Sequence, residues 1–341
     1  MLHELKLIIS TAQKAQNQGL KSVFVSVVAL DGSSYRRPGV RMLILEDGTM
    51  VGAVSGGCVE KEIARQSETV FKDGQPKLMT YDGRFRLGCD GILYLLIEPF
   101  HPDEAFFEGF YQQLKARKSL QVRTYFSKEE SFRRTGGTQF LFSEKNTHPV
   151  VATFDTKMGT NDDLDCFEQV LEPSFRLFII GAEHDAVSLC TLSAQAGWEV
   201  SVIAAPDENK SLQDFPGATQ FLAITEDAFE EFSVDKETAV VLMSHSLVKD
   251  LKFLSALRNK TPAYLGLLGP SRRKDRIIEQ LLEYYEDTPL SFLDSIHGPC
   301  GVNIGAETPQ EIAISIMAEI LAVIREQDPI LLKDKKTGIH Q

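Results

Sequence analysis

The side chains best equipped for chemistry fall in three small-residue loops near the N-terminus. The first, Gly32-Ser33-Ser34-Tyr35-Arg36-Arg37-Pro38-Gly39, sets Ser34 beside two guanidinium groups. Small residues let backbone N–H groups approach an anion, and arginine grips a phosphate with a bidentate fork. The second, Ser55-Gly56-Gly57-Cys58-Val59-Glu60, sits where a strand passes into a helix. A helix N-terminus attracts anions and lowers the pKa of a thiol, so Cys58 there could bind a soft metal or carry sulfur. The third, Gly88-Cys89-Asp90-Gly91, brings a second thiol. Any one such loop often does no more than turn the chain, and cysteine is often a small buried hydrophobe. Three within the first hundred residues, two with cysteine and one with paired arginines, favour a ligand.

The second half carries a different set. Gly181-Ala182-Glu183-His184-Asp185-Ala186 follows an apolar strand, where a Rossmann domain places its phosphate loop. Glu183, bulky and negative, stands where that loop needs its second glycine. The second strand ends at Ala204-Ala205, where a ribose-binding acid would stand. A Rossmann scaffold without a dinucleotide fits these residues as well as an NAD(P) site does. His184 and His245 follow the first and third strands, and His297 lies in Ile296-His297-Gly298-Pro299. Ligands of doubly wound sheets bind outside the carboxyl ends of the strands, so His184 and His245 are expected to face one crevice, where with Glu183 or Asp185 they could bind a metal or move a proton. Gly269-Pro270-Ser271-Arg272-Arg273 starts another helix with cations that oppose its dipole, which an anionic ligand or a solvated charge run would explain equally. Pro299 to Pro309 is a glycine-containing loop that reads as a pocket wall or as a purely structural connection.

These residues require scaffolding. Leu5, Ile8, Ile9, Ala12 and Ala15 give helical spacing over 3–18, and valine-rich Ser22 to Leu30 reads as a strand. Arg41 to Leu45 and Met50 to Val54 form a hairpin about Asp47-Gly48, and a helix starts near Val59. Strands follow at Lys77 to Tyr81 and Ile92 to Ile97. Residues 101–172 read as a helix and several β segments, a less certain β-rich extension of an N-terminal mixed α/β domain spanning 1–172. From 173 to 328, short apolar strands (Arg176 to Ile180, Glu199 to Ala204, Ala239 to Met243, Ala263 to Leu267) alternate with helical patterns, which implies a doubly wound parallel sheet. Thr308 and Glu311 form a capping box before the last helix, and 329–341 is a polar tail.

With 341 residues, at roughly 100–200 per domain, the chain has room for two or three cores. A net charge of -12 argues against nucleic acid, whose phosphates need a basic surface. No apolar run reaches the roughly 20 residues of a membrane span. The first residues lack the pattern of a signal peptide, and the five cysteines show neither CxxC nor an even framework. A cytoplasmic location is the expectation.

Taken together, the motifs resemble the xanthine dehydrogenase accessory protein family, XdhC/CoxI. The likeness rests on Gly32 to Gly39, Val51 to Glu60, and Leu87 to Gly91 through Pro99. It continues over Gly181 to Trp198, Ser244-His245, Tyr264 to Pro270 with Arg272-Arg273, and Pro299 to Glu319. Three positions depart from the family: Glu183 for a glycine, Ala204-Ala205 for an aspartate, and Asp90 for a glycine. The resemblance implies a maturation chaperone rather than a catalyst, one that binds molybdenum cofactor and aids its sulfuration and insertion into a xanthine-dehydrogenase-type enzyme. The implied partners are that enzyme and a cysteine desulfurase, and a homodimer is expected. It makes Cys58 and Cys89 contacts for molybdenum or sulfur, and Arg36, Arg37, Arg272 and Arg273 contacts for the pterin phosphate. Ser34, Ser55, Gly56, Gly57, Glu60, Gly181, His184, His245 and Gly269 complete the expected lining of a cleft between the domains. The competing readings are a nucleotide-dependent oxidoreductase, a metal-dependent hydrolase built on His184 and His245, and a scaffold without a small ligand.

Overall fold

The computed structural model describes residues 2–32, 37–55, 57–85, 91–129, 136–143, 146–151, 154 and 164–336, with the backbone alone at Cys58 and Phe85. The chain divides into two compact units, Met1–Pro173 and Ser174–Gln341. Ser34, Arg36, Gly56 and Cys89 lie outside the described residues.

The first unit holds two antiparallel sheets. Strands β1 (Ser22–Gly32), β2 (Arg41–Leu45), β3 (Met50–Gly52), β4 (Lys77–Asp82) and β5 (Gly91–Phe100) assemble in the order β3-β2-β1-β5-β4. Valines dominate β1 because both of its faces are covered. Val23, Val25 and Val27 pack against Val59, Ile63 and Val70 of α2 (Cys58–Asp73). Phe24, Leu43 and Phe100 face the other way, into a core shared with α1 (Leu2–Asn17) and α3 (Glu104–Lys115). That core also takes Val122, Phe140 and Leu171 from the second sheet. The second sheet comprises β6 (Leu120–Phe126), β7 (Gly137–Ser143), β8 (Asn146–Pro149) and β9 (Asp165–Leu171), ordered β8-β7-β6-β9.

The second unit is a parallel α/β layer. Strands β10 (Arg176–Ile180), β11 (Glu199–Ala204), β12 (Gln220–Ala223), β13 (Thr238–Leu242), β14 (Tyr264–Leu267) and β15 (Ile296–His297) order as β12-β11-β10-β13-β14-β15. Helices α4 (His184–Gln195) and α9 (Pro309–Ile324) cover one face. Helices α5 (Glu226–Glu230), α6 (Leu247–Leu257), α7 (Ser271–Tyr284) and α8 (Leu290–Asp294) cover the other. Strands buried on both sides lose alternation and read as continuous apolar runs, as in Leu177–Ile180 and Ala239–Leu242. Thr308 and Glu311 cap α9 reciprocally, as the sequence predicts. No helix among the described residues is long and apolar enough to cross a membrane.

Candidate functional site

At the start of α2 the chain folds back on itself. Ser55 Oγ accepts from the Gly57 and Val59 N–H groups (3.1 and 3.3 Å) and donates to Glu60 Oε2 (2.5 Å), while the Ser55 N–H donates to Glu60 Oε1 (2.7 Å). The Glu60 carboxylate therefore occupies part of the anion position that the helix dipole creates. Burial opposes its ionisation, but the hydrogen bonds from Ser55 and from main-chain N–H groups outweigh that and hold the carboxyl below its ordinary range. Gly57 is the N-cap at φ 113°, a left-handed conformation that only glycine adopts without strain. Cys58 is the first residue of this helix. Arg37 is exposed, two residues before Gly39.

In the second unit the winding reverses between β10 and β13: the chain runs outward through β11 and β12, then returns to the other side of β10. Such a switch point opens a crevice at the carboxyl ends of the strands. Gly181 lines it at φ 132°, and a Cβ there would lie 2.6 Å from the Met243 carbonyl group. Close approach of the two strand ends thus demands this glycine. Glu183 is the N-cap of α4 and exposed, as is His184, the first residue of that helix. His245 Nε2 lies 3.3 Å from Asp185 Oδ2, one of the two acids expected beside the imidazoles. His245 has φ 55°, a left-handed conformation uncommon for a residue other than glycine.

The residue that organises this rim is Asp250, which sequence reasoning missed. It is fully buried on α6. Its Oδ1 accepts from the Ser244 N–H (3.2 Å) and hydroxyl (2.5 Å), and its Oδ2 accepts from Arg273 Nη2 (2.7 Å). Arg273 therefore ties α7 to the loop that carries His245. Gly269 makes room for it, since a Cβ there would meet Arg273 Cδ at 2.7 Å. Arg272 beside it is exposed, and no hydrogen bond or ion pair joins it to the described residues. An acid at 250, in helical register with apolar Phe253, Leu254 and Leu257, was the available signal.

A second missed acid is Glu319 on α9. It accepts from Tyr264 Oη (2.5 Å) and the Gly301 N–H (2.5 Å), and its other oxygen lies 3.0 Å from His297 Nδ1. The His297 ring stacks on Tyr264 at 4.6 Å between centroids. Burial works against ionisation of Glu319, but the bonds from His297, Tyr264 and Gly301 prevail and lower its pKa. Burial also pushes the neighbouring Cys300 thiol up to about 12, so it stays protonated and unreactive. Among the described residues, no three His, Cys, Asp or Glu side chains are arranged to hold a metal ion.

Residues 177–320 match the family model described as the XdhC Rossmann domain, and residues 15–82 that of the XdhC and CoxI family. A Bacillus subtilis (strain 168) protein, named as a probable xanthine dehydrogenase subunit, is 28% identical over 88% of this chain and 92% of its own length. The Escherichia coli (strain K12) molybdenum cofactor insertion chaperone PaoD is 26% identical over 95% of this chain and 90% of its own. A crystal structure of a Bacillus halodurans xanthine dehydrogenase superposes with a TM-score of 0.75 at 26% identity, covering 94% of this chain and 96% of that one. With both domain models matched in order and relatives aligned along nearly the whole chain, the protein belongs to the XdhC and CoxI family of xanthine dehydrogenase accessory proteins.

Proposed function

We propose that the protein binds molybdenum cofactor and aids its sulfuration and insertion into a xanthine-dehydrogenase-type molybdenum hydroxylase. The observation that carries this reading is the similarity to an insertion chaperone over nearly the full length of both chains. The residues present suit such a guest. Arg37 and Arg272 are exposed guanidinium groups, able to grip a phosphate in a bidentate fork, and Arg36 is proposed with them. Glu60 offers a carboxylate to the amide and amino N–H groups of a pterin edge. Cys58 and Cys89 are the proposed thiol contacts for molybdenum or sulfur. The bound group supplies the molybdenum centre that the client enzyme uses; this chain holds it, shields it and hands it over. Arg273 enters the reading as the support of the His245 loop, because Asp250 already takes its charge.

The reading includes a cysteine desulfurase as sulfur donor, a cytoplasmic location and a homodimer. Sedimentation would then give twice the 38.0 kDa of one chain. The test of binding is direct: purified protein mixed with molybdenum cofactor retains it through gel filtration, and Cys58→Ala retains less. Equal retention by the variant removes Cys58, and no retention by the parent protein removes the whole reading. Tight binding of NAD(H), read by fluorescence of Trp198, would favour an oxidoreductase instead.

A further inference from the structure

Two charged side chains lie buried between the sheets of the first unit, apart from the candidate site residues. Glu98 on β5 is 0% exposed and Arg41 on β2 is 7% exposed. Cross-strand register sets Ser26 opposite Arg41 and Leu96, and Phe24 opposite Glu98, so these residues share the face that meets the second sheet. From that sheet, Thr138 donates its main-chain N–H (2.8 Å) and its hydroxyl (2.5 Å) to the two oxygens of Glu98. Thr138 Oγ1 also lies 3.1 Å from Thr124 Oγ1. Arg41 Nη1 donates to the Gly39 carbonyl (2.9 Å) and to Gln169 Oε1 on β9 (2.6 Å). Gln169 closes on Gly39 so tightly that a Cβ there would lie 2.5 Å from its amide nitrogen. Among the described residues, no hydrogen-bond partner meets the buried Arg41 Nε and Nη2 or Ser26 Oγ.

Hydroxyls donate or accept, so the chain Thr124–Thr138–Glu98 has two polarities with the same number of bonds. With Glu98 ionised, the hydroxyl bonds run toward the carboxylate. With Glu98 protonated, its O–H donates to Thr138 Oγ1, which donates on to Thr124 Oγ1. The other carboxyl oxygen still accepts the Thr138 N–H. The cluster takes up a proton with the same number of bonds, but the buried Thr124 hydroxyl hydrogen then has no acceptor in the cluster, and the negative charge near Arg41 is lost. A buried guanidinium without a counter-charge is driven toward solvent.

We propose that Glu98 is a proton-operated switch inside the first unit: its protonation strips Arg41 of its counter-charge and loosens the Arg41–Gln169 grip on Gly39, the exit of the arginine-bearing loop. Arg41 is the charged group that acts on Glu98 among the described residues. The other groups named on this face are neutral: Phe24 and Ser26 from β1, Thr124 from β6, Thr138 from β7 and Gln169 from β9. Burial pushes Glu98 up to about 7, against the lowering effect of the Thr138 bonds and of Arg41, so the switch works near neutrality. Arg41, drawn down to about 10 by its own burial, stays charged throughout.

Amide NMR of the isotopically labelled full chain tests this without any ligand. The Thr138 amide, which donates to the carboxylate, should titrate with a midpoint between roughly pH 6 and 8 and stay flat in Glu98→Gln. The Gly39 N–H, bonded to the Val27 carbonyl at 2.8 Å, should lose protection against exchange below the same midpoint. Corrected for the intrinsic rate, the loss should be on the order of tenfold, the equivalent of one pKa unit. Gln169→Ala should leave the Thr138 midpoint in place and remove the pH step at Gly39. A Thr138 amide that does not move, or that titrates in the ordinary carboxylate range, overturns the switch. A titrating Thr138 with unchanged Gly39 protection overturns the coupling. The parent protein alone decides both points if Glu98→Gln fails to fold.

Discussion

His245 stands 3.3 Å from Asp185 across the gap where the parallel sheet reverses its winding, and it does so from a left-handed backbone conformation. A non-glycine residue at φ 55° costs about 1 kcal/mol or more, and a β-branched one costs most. His245→Val should therefore lower stability by about 1–2 kcal/mol, while His245→Asn should stay within about 0.5 kcal/mol, because asparagine tolerates this conformation. Urea-denaturation midpoints distinguish the two. If His245 also contacts the proposed cofactor, the well-folded asparagine variant should retain less of it on gel filtration. Normal retention by that variant would confine His245 to a structural role.

Asp250 and Arg273 form an ion pair whose carboxylate is fully buried. Removing one partner of such a pair leaves an uncompensated charge, so Asp250→Ala should cost about 3–5 kcal/mol. The double variant Asp250→Ala with Arg273→Met should recover part of that loss, because no charge is then left without its partner. A loss under about 1 kcal/mol for Asp250→Ala would mean that water reaches the pair and that the His245 loop is held by other bonds.

Glu319 sets an acid limit. Its folded pKa lies below its ordinary value of 4.5, so the unfolded chain takes up this proton first as pH falls. The stability it contributes is complete above that ordinary value and is lost as pH falls through the folded one. Glu319→Gln should therefore be less stable than the parent at pH 7 by about 1.5–3 kcal/mol, the usual worth of a hydrogen bond to a charged group. The gap should narrow on acidification. A gap that stays constant to low pH would show that the amide replaces the carboxylate without penalty to His297 and Tyr264.

The sequence discloses repeating order better than solitary contacts. Alternation of apolar strands with helical patterns after Pro173 was enough to place β10, β11, β13 and β14, and the doubly wound sheet followed. It failed for β12 and β15, which are short edge segments, and before Pro173 the several β segments expected did not single out β9, whose outward residues include Cys166 and Glu168. Edge strands bury one row or none, so periodicity has little to act on. Site residues divide in the same way. Gly181 and the Ser55–Glu60 turn were legible because local geometry demands those types. Asp250, Glu319, Glu98 and Arg41 were not, because a charged residue in a sequence looks the same whether solvent or a distant partner satisfies it. In hindsight each interrupts an apolar row: Glu98 follows Leu96 and precedes Phe100 on one face of β5, and Arg41 precedes Leu43 on β2.

Glu98 carries the opposite pH dependence to Glu319. Its folded pKa, about 7, lies above its ordinary 4.5, so between those values the folded state binds more protons than the unfolded state. Stability should then fall as pH rises from 4.5 toward 7, with a slope of at most about 1.4 kcal/mol per pH unit. Above the folded pKa the curve should level, since both states are then ionised at this position. Glu98→Gln removes the titrating group, so its urea midpoint should lack this descending limb, whatever the absolute stability of the variant with Arg41 left beside a neutral amide. A parent protein whose stability rises steadily from pH 5 to 7 would require other carboxylates to dominate, and subtraction of the Glu98→Gln profile isolates this contribution. Should the subtracted curve be flat, Glu98 would be ionised throughout, and solvent or a closer approach of Arg41 would have to supply the stabilising charge.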